Sequence, residues 1–161
     1  MILRDATAND AKSIAAIWNA EIRDGISTFN STEKSIKDVT QLVSARRGCF
    51  LVAELQGRVV GFGTLGPFRA GPGYAHCKEH SLYLLASAQG KSIGSALLRA
   101  LEQVARQSDV HVLVAAIGGE NTGAVDFHTH MGFEHVGQMP EVGRKFDRWM
   151  NLILMQKIVT R

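Results

Sequence analysis

The stretch Leu82 to Leu98, LYLLASAQGKSIGSALL, runs from an apolar segment through a glycine-bearing turn into a helical pattern. Its Gly90-Lys91-Ser92 shares three letters with the nucleotide-triphosphate loop G-x-x-x-x-G-K-[ST], which requires glycine at position 85. Position 85 is Leu85. The next apolar run, Val110 to Ile117, is followed by GGEN rather than by an aspartate that would help hold magnesium. Both requirements fail, so the turn is a different kind of anion cradle or none. The first N–H groups of a helix lack internal partners and lie at its positive end. A strand-to-helix turn over Gln89 to Ser95 can therefore take a diphosphate on its amides. Gly90 and Gly94 would let a ligand reach the backbone. Glycine and serine also begin many helices that bind nothing, and the flanking sequence must decide.

Upstream, residues 1 to 6 read as a strand. Thr7 then caps a helical period carried by Ala11, Ile14, Ala15, Ile17 and Trp18. A second helix is expected from about Ser35 to Arg46, and CFLVAELQGRVVGFGTL reads as a hairpin turning at Gln56-Gly57. FRAGPGY is a loop leading to a long strand that ends near Leu85. Downstream, a helix is expected from about Lys91 to Arg106, with Ile93, Leu97, Leu101 and Val104 on one stripe. Val110 to Ile117 reads as a strand covered on both faces. A short helix over Asn121 to Met131 and two closing strands, Phe133–Met139 and Lys145–Lys157, complete the chain. The expectation is an α/β protein of order β-α-α-β-β-β-α-β-α-β-β, one mixed sheet in a single domain over 1–161.

Composition excludes several classes. The 161 residues are 45% hydrophobic and 20% charged, ordinary globular usage. A net charge of +3 with scattered Lys and Arg reads as a solvated surface rather than a nucleic-acid face. No apolar run approaches a membrane span, no export signal opens the chain, and Cys49 and Cys77 have no metal-ligand spacing, so a reduced cytoplasmic protein is expected. His76 and His80 would lie ~13 Å apart on one strand, too far to share a metal, and no metal is expected.

Gln89-Gly90-Lys91-Ser92-Ile93-Gly94 is similar to the Q/R-x-x-G-x-G/A turn of the GNAT superfamily of acetyl-CoA-dependent N-acetyltransferases, with Ser92 where that family usually has glycine. Glu79-His-Ser-Leu-Tyr-Leu84, Asn121-Thr-Gly-Ala-Val-Asp-Phe-His128 followed by Gly132-Phe133, and VGRKFDRWMNLILMQ resemble motifs of its phosphinothricin and methionine-sulfoximine acetyltransferase branch. The resemblance spans nearly the whole chain. It implies a GNAT fold with a splayed central strand pair, acetyl-CoA as co-substrate, a small-molecule amine acceptor and a homodimer. The acceptor it implies is an amino-acid analogue such as phosphinothricin, methionine sulfoximine or methionine sulfone. Another amine (a polyamine or a protein N-terminus) and a non-catalytic acyl-CoA-binding module stand as alternatives.

Acetylating an amine requires a base for the ammonium proton, donors for the tetrahedral oxyanion and a proton for the departing thiolate. Glu79 shares a strand face with Cys77, Ser81 and Tyr83 by period-two alternation. It reads as a salt-bridged or edge carboxylate on spacing alone, and as the base through the resemblance. His128, beside the apolar stripe of the short helix, reads as a satisfied core residue on composition. The resemblance gives it a thiolate-protonating or substrate-orienting role. It also implies that Leu82, Tyr83 and Leu84 bind pantetheine through their backbones, and that Gln89, Gly90, Lys91, Ser92, Ile93, Gly94 and Ser95 receive the diphosphate. Asn121 reads equally as a pantetheine ligand and as a helix cap. For the acceptor, Arg69 is the candidate cation, or an ordinary loop arginine. Ala70, Gly71, Pro72 and Tyr74 would shape the pocket beside His80 and Ser81, and Phe29 is a further candidate to cap it.

Overall fold

The structure, a computed structural model, describes residues 1–160. Its elements are β1 (Ile2–Asp5), α1 (Ala11–Asp24), α2 (Ile36–Ala45), β2 (Phe50–Leu55), β3 (Arg58–Pro67), β4 (Cys77–Leu84), α3 (Ile93–Gln107), β5 (Val112–Gly118), α4 (Thr122–His130), β6 (Glu134–Lys145) and β7 (Arg148–Ile158). The order is the one the sequence predicts. Short 3-10 turns at Ala8–Asp10, Pro72–Tyr74 and Ala86–Ala88 add to it.

Local chemistry explains the helix starts. Thr7 N donates to Asp10 Oδ2 at 2.8 Å, closing a turn before α1 begins. At α2, Asp38 N donates to Ser35 Oγ at 3.1 Å and Ser35 N to Asp38 Oδ2 at 2.9 Å, a reciprocal capping box. The apolar stripes face inward as their period requires: Ala11, Ile14, Ile17 and Trp18 of α1 are buried, as are Ile93, Leu97 and Leu101 of α3.

The seven strands form one sheet in the order β1-β2-β3-β4-β5-β7-β6. Every pair is antiparallel except β4–β5. That parallel pair is short: Cys77, Lys78 and Glu79 lie opposite Val112, Leu113 and Val114, and pairing then stops. Beyond Glu79, β4 stays with β3 as far as Leu84 opposite Gly61, while β5 stays with β7 as far as Gly118 opposite Leu152. The middle of the sheet is thus splayed. Helices α1 and α2 cover one face around Trp18, Phe50 and Phe62, and α3 covers the other around Leu97, Leu98, Leu101 and Leu113.

Two expected boundaries move. Helix α3 begins at Ile93 rather than Lys91, because Gly90 (φ +71°) and Ser92 (φ +59°) are left-handed and cannot belong to a right-handed helix. Strand β6 runs on to Lys145 and turns through Phe146-Asp147, both at positive φ, directly into β7. Gly143 and Lys145 therefore end β6, whereas the sequence suggested that Lys145 opens β7. Register shifts between His135 and Gly137 and between Met139 and Gly143 break the alternation that would have revealed the longer strand. Among the described residues no helix is long and apolar enough to cross a membrane.

Candidate active site

The splay opens a cavity of about 840 Å³. Its walls come from the diverging ends of β4 and β5, the N-terminal ends of α3 and α4, helix α1 and the loop after it. Side chains alternate along β4, so Glu79 and Tyr83 face the α1 side while His80, Leu82 and Leu84 face the α3 side. Tyr83 accordingly packs on Trp18 and Phe62, at centroid distances of 5.7 and 5.5 Å. His80 packs on His128 and Phe133. The two expected catalytic residues thus reach one cavity from opposite faces of the sheet.

Glu79 is half-buried at the last paired position before the splay. Burial raises its carboxyl above the usual range, and the Arg46 guanidinium pulls it partly back. Arg46, at the C-terminal cap of α2, donates from Nη1 to Thr64 Oγ1 at 3.4 Å. It lies so close to Gly66 that a Cβ there would stand 2.6 Å from its Nη2, and Gly66 is the residue opposite Glu79 across β3–β4. A carboxylate held above its ordinary pKa is a stronger base, which suits proton abstraction from an ammonium.

On the other face, the hydrogen bonds fix the protons of a histidine pair. His128 Nδ1 lies 2.7 Å from Ala124 O, a carbonyl that only accepts, so Nδ1 carries the proton and Nε2 of the neutral ring a lone pair. His80 Nε2 lies 2.9 Å from that Nε2 and therefore donates. His80 Nδ1 is left unprotonated and buried, with no hydrogen-bond partner among the described residues. Burial pushes His80 down to about 3, and His128 beside it adds to the shift. The Val114 backbone pulls the other way, but it lies outside hydrogen-bond geometry with Nδ1. Burial also lowers His128, against the Ala124 carbonyl. The pair is uncharged, with both nitrogens of His128 engaged.

Backbone polarity completes the cavity. Leu85 N donates to Val60 O at 2.8 Å, so by antiparallel alternation Tyr83 and Ser81 also turn their N–H and C=O toward β3. Leu82 and Leu84 turn theirs into the splay, where β5 no longer pairs with them. Of the three residues expected to bind through backbone groups, these two are open, and Tyr83 meets the cavity with its side chain. In the turn, Gln89 N is bonded to Ala86 O at 3.3 Å. The N–H groups of Gly90, Lys91, Ser92, Ile93, Gly94 and Ser95 have no hydrogen bond among the described residues. Gln89, Gly90 and Gly94 line the cavity, Lys91 and Ser92 are exposed beside it, and the Ile93 side chain is buried in the core. Asn121 does two things at once: its Oδ1 caps α4 by accepting from Ala124 N at 3.1 Å, and its Nδ2 donates to Ser27 Oγ at 3.1 Å.

Other expected residues do not gather here. Ala70, Gly71, Pro72 and Tyr74 do not line the cavity, nor does Arg69, whose guanidinium lies 5.4 Å over the Tyr74 ring. Strand β3 ends at Pro67, and residues 69 to 76 between β3 and β4 are exposed. His80 and Ser81 do line the cavity. The cation in its wall is Lys34, a residue sequence reasoning passed over. Its Nζ sits 4.5 Å over Trp18, and its backbone is clamped to Asn19, N to Oδ1 at 2.8 Å and O to Nδ2 at 2.9 Å. Trp18 looked like core from its period, and it is both core and cavity floor. Phe29 lines the cavity with Ser27, Thr28 and Asn30.

The chain matches the family model described as an acetyltransferase (GNAT) domain over residues 3–154. It is 35% identical, over 96% of this chain and 92% of the relative, to the L-methionine sulfoximine/L-methionine sulfone acetyltransferase of Pseudomonas aeruginosa. Among solved structures, the ribosomal-protein-alanine N-acetyltransferase of Brucella melitensis superposes with a TM-score of 0.95 at 38% identity, over 98% of this chain and 99% of that one. A GNAT superfamily phosphinothricin acetyltransferase from Sinorhizobium meliloti, in complex with AcCoA, superposes with a TM-score of 0.93 at 32% identity, over 98% and 87%.

Proposed function

This chain belongs to the GNAT family of acetyltransferases, and from that premise we propose that its acceptor is the primary amine of a small amino-acid analogue of the methionine sulfone, methionine sulfoximine or phosphinothricin kind. It is an N-acetyltransferase and takes its acetyl group from acetyl-CoA. The open backbone groups of Leu82 and Leu84 hold the pantetheine arm in the splay, and one N–H polarises the thioester carbonyl. The amides of residues 90 to 95 receive the diphosphate. Glu79 takes a proton from the acceptor ammonium, directly or through a water, and the free amine attacks the carbonyl carbon. As the tetrahedral centre collapses the C–S bond breaks, and the second proton, shed by the attacking nitrogen, passes through water to the departing thiolate. Of the two roles expected for His128, orientation fits its engaged nitrogens better than proton donation. The His80–His128 pair then forms an uncharged wall.

The observation that carries this reading is the meeting, in one cavity, of a half-buried carboxylate above its usual pKa with the unpaired backbone of β4. Lys34 supports the amino-acid class, since it offers the acceptor carboxylate a cation. A second reading, a protein N-terminus, is favoured by the Brucella relative's name. A thiol-release screen decides between them, with methionine sulfone, phosphinothricin, spermidine and an alanine-initiated peptide side by side. The analogues should show the highest kcat/KM. Preferred turnover of the peptide would replace the first reading by the second, and acetyl-CoA binding without turnover of any amine would overturn both.

We also propose a homodimer. Val136, Met139, Val142, Phe146 and Trp149, each 45–59% exposed, lie along the β6–β7 hairpin at the open edge of the sheet.

A further inference from the structure

Lys145 ends β6 with its side chain buried, 6% exposed. Its Nζ donates to Gly25 O at 2.6 Å, Thr28 O at 2.8 Å and Glu21 O at 3.3 Å. An ammonium has three protons, and all three are spent on backbone carbonyls. None of the ion pairs among the described residues includes Lys145. A buried cation is costly unless its donors are satisfied, so these carbonyls are held where they are. Glu21 closes the last turn of α1, where a positive charge also suits the helix dipole. Gly25 and Thr28 belong to the loop that follows.

The same loop is gripped from two further directions. A Cβ on Gly143, two residues before Lys145, would collide with the Phe29 ring, so β6 leaves room there for the phenyl ring. A Cβ on Gly118 of β5 would stand 2.6 Å from Ile26 O, and Asn121 donates to Ser27 Oγ. What the grip presents is Ser27, Thr28, Phe29 and Asn30 as cavity wall, with Thr28 beside the Tyr83 side chain and the loop therefore on the Glu79 and Tyr83 side of the sheet.

We propose that Lys145 is a positioning residue for the acceptor. By tying Gly25 and Thr28 to the end of β6, it fixes the 25–30 loop against the cavity and so sets the shape of acceptor that fits. The proposal rests on the reading of this wall as the acceptor side. Its test is Lys145→Met beside Gly143→Ala, which keeps the lysine but pushes on Phe29. In both variants KM for methionine sulfone should rise about tenfold or more while KM for acetyl-CoA stays within about twofold, because only the acceptor wall moves. Hydrogen exchange at residues 25–30 should quicken in Lys145→Met. Unchanged acceptor KM, or both KM values rising in parallel, would overturn the proposal. Should Lys145→Met fail to fold, the KM split in Gly143→Ala decides. Should the wild type acetylate no amino-acid analogue, the proposed acceptor fails on its own, and the exchange measurement still judges Lys145: unchanged exchange of the loop would overturn its role.

Discussion

Glu79 stands where β4 loses its partner, so its carboxyl is dry enough to rise in pKa yet open to the cavity on one side. Glu79→Gln should lower kcat by about 10² to 10⁴ with little change in KM for acetyl-CoA, as expected when a general base is lost. In the wild type kcat/KM should fall on the acid side with an inflection above that of an ordinary carboxylate, and the limb should vanish in the variant. An unchanged pH–rate profile would remove Glu79 from the chemistry. The histidine pair makes a separate prediction. Folded His80 sits at about 3 against an ordinary 6.5, so below pH 6.5 the unfolded chain binds a proton that the folded chain refuses. Stability should therefore fall as the pH drops from 6.5 toward 3, by up to roughly 2 kcal/mol at pH 5 from this residue. Denaturant midpoints of wild type and His80→Leu across that range measure it, and parallel curves would contradict the buried neutral pair. Nitrogen NMR should find His128 protonated on Nδ1 and uncharged at neutral pH.

At the scale of elements, the turn into α3 carries strain that the sequence did not announce. Ser92 holds φ +59°, a conformation that costs an L-residue roughly 1 kcal/mol and glycine almost nothing. Ser92→Gly should raise stability by up to about 1 kcal/mol in thermal unfolding without weakening acetyl-CoA binding, and destabilisation would mean that the hydroxyl has an unrecognised role. Elements with a clean period were legible in advance: the α1 and α3 stripes, the hairpin at Gln56-Gly57 and the two-faced strand β5 all lie where their patterns put them. The long β6–β7 hairpin was not, because bulges interrupt its alternation and apolar residues stand on its exposed side. That matters for function, since Gly143 and Lys145 reach the cavity loop only from the end of β6. Glu79, His128 and the 89–95 turn could be singled out from local motifs. Lys34 and Arg46 could not, since each meets the site through a contact distant in sequence with no motif of its own, and the VGRKFDRWMNLILMQ motif that holds Lys145 gave no sign of the loop it fastens.

The molecule as a whole is organised by a sheet whose two halves part at one parallel pair, so that a cavity crosses between its faces. The hairpin at its far edge leaves an apolar surface consistent with the proposed homodimer. Trp149→Glu should convert a dimer to a monomer in sedimentation equilibrium, and a monomeric wild type would contradict the dimer while leaving the chemistry intact. The cavity itself is tested most directly by a crystal structure of the acetyl-CoA complex. Diphosphate oxygens should lie within hydrogen-bond distance of the N–H groups between Gly90 and Ser95, with the arm running between β4 and β5 past Leu82 and Leu84 and the thioester beside Glu79. A diphosphate bound elsewhere, or a thioester lying outside the splay, would contradict this placement.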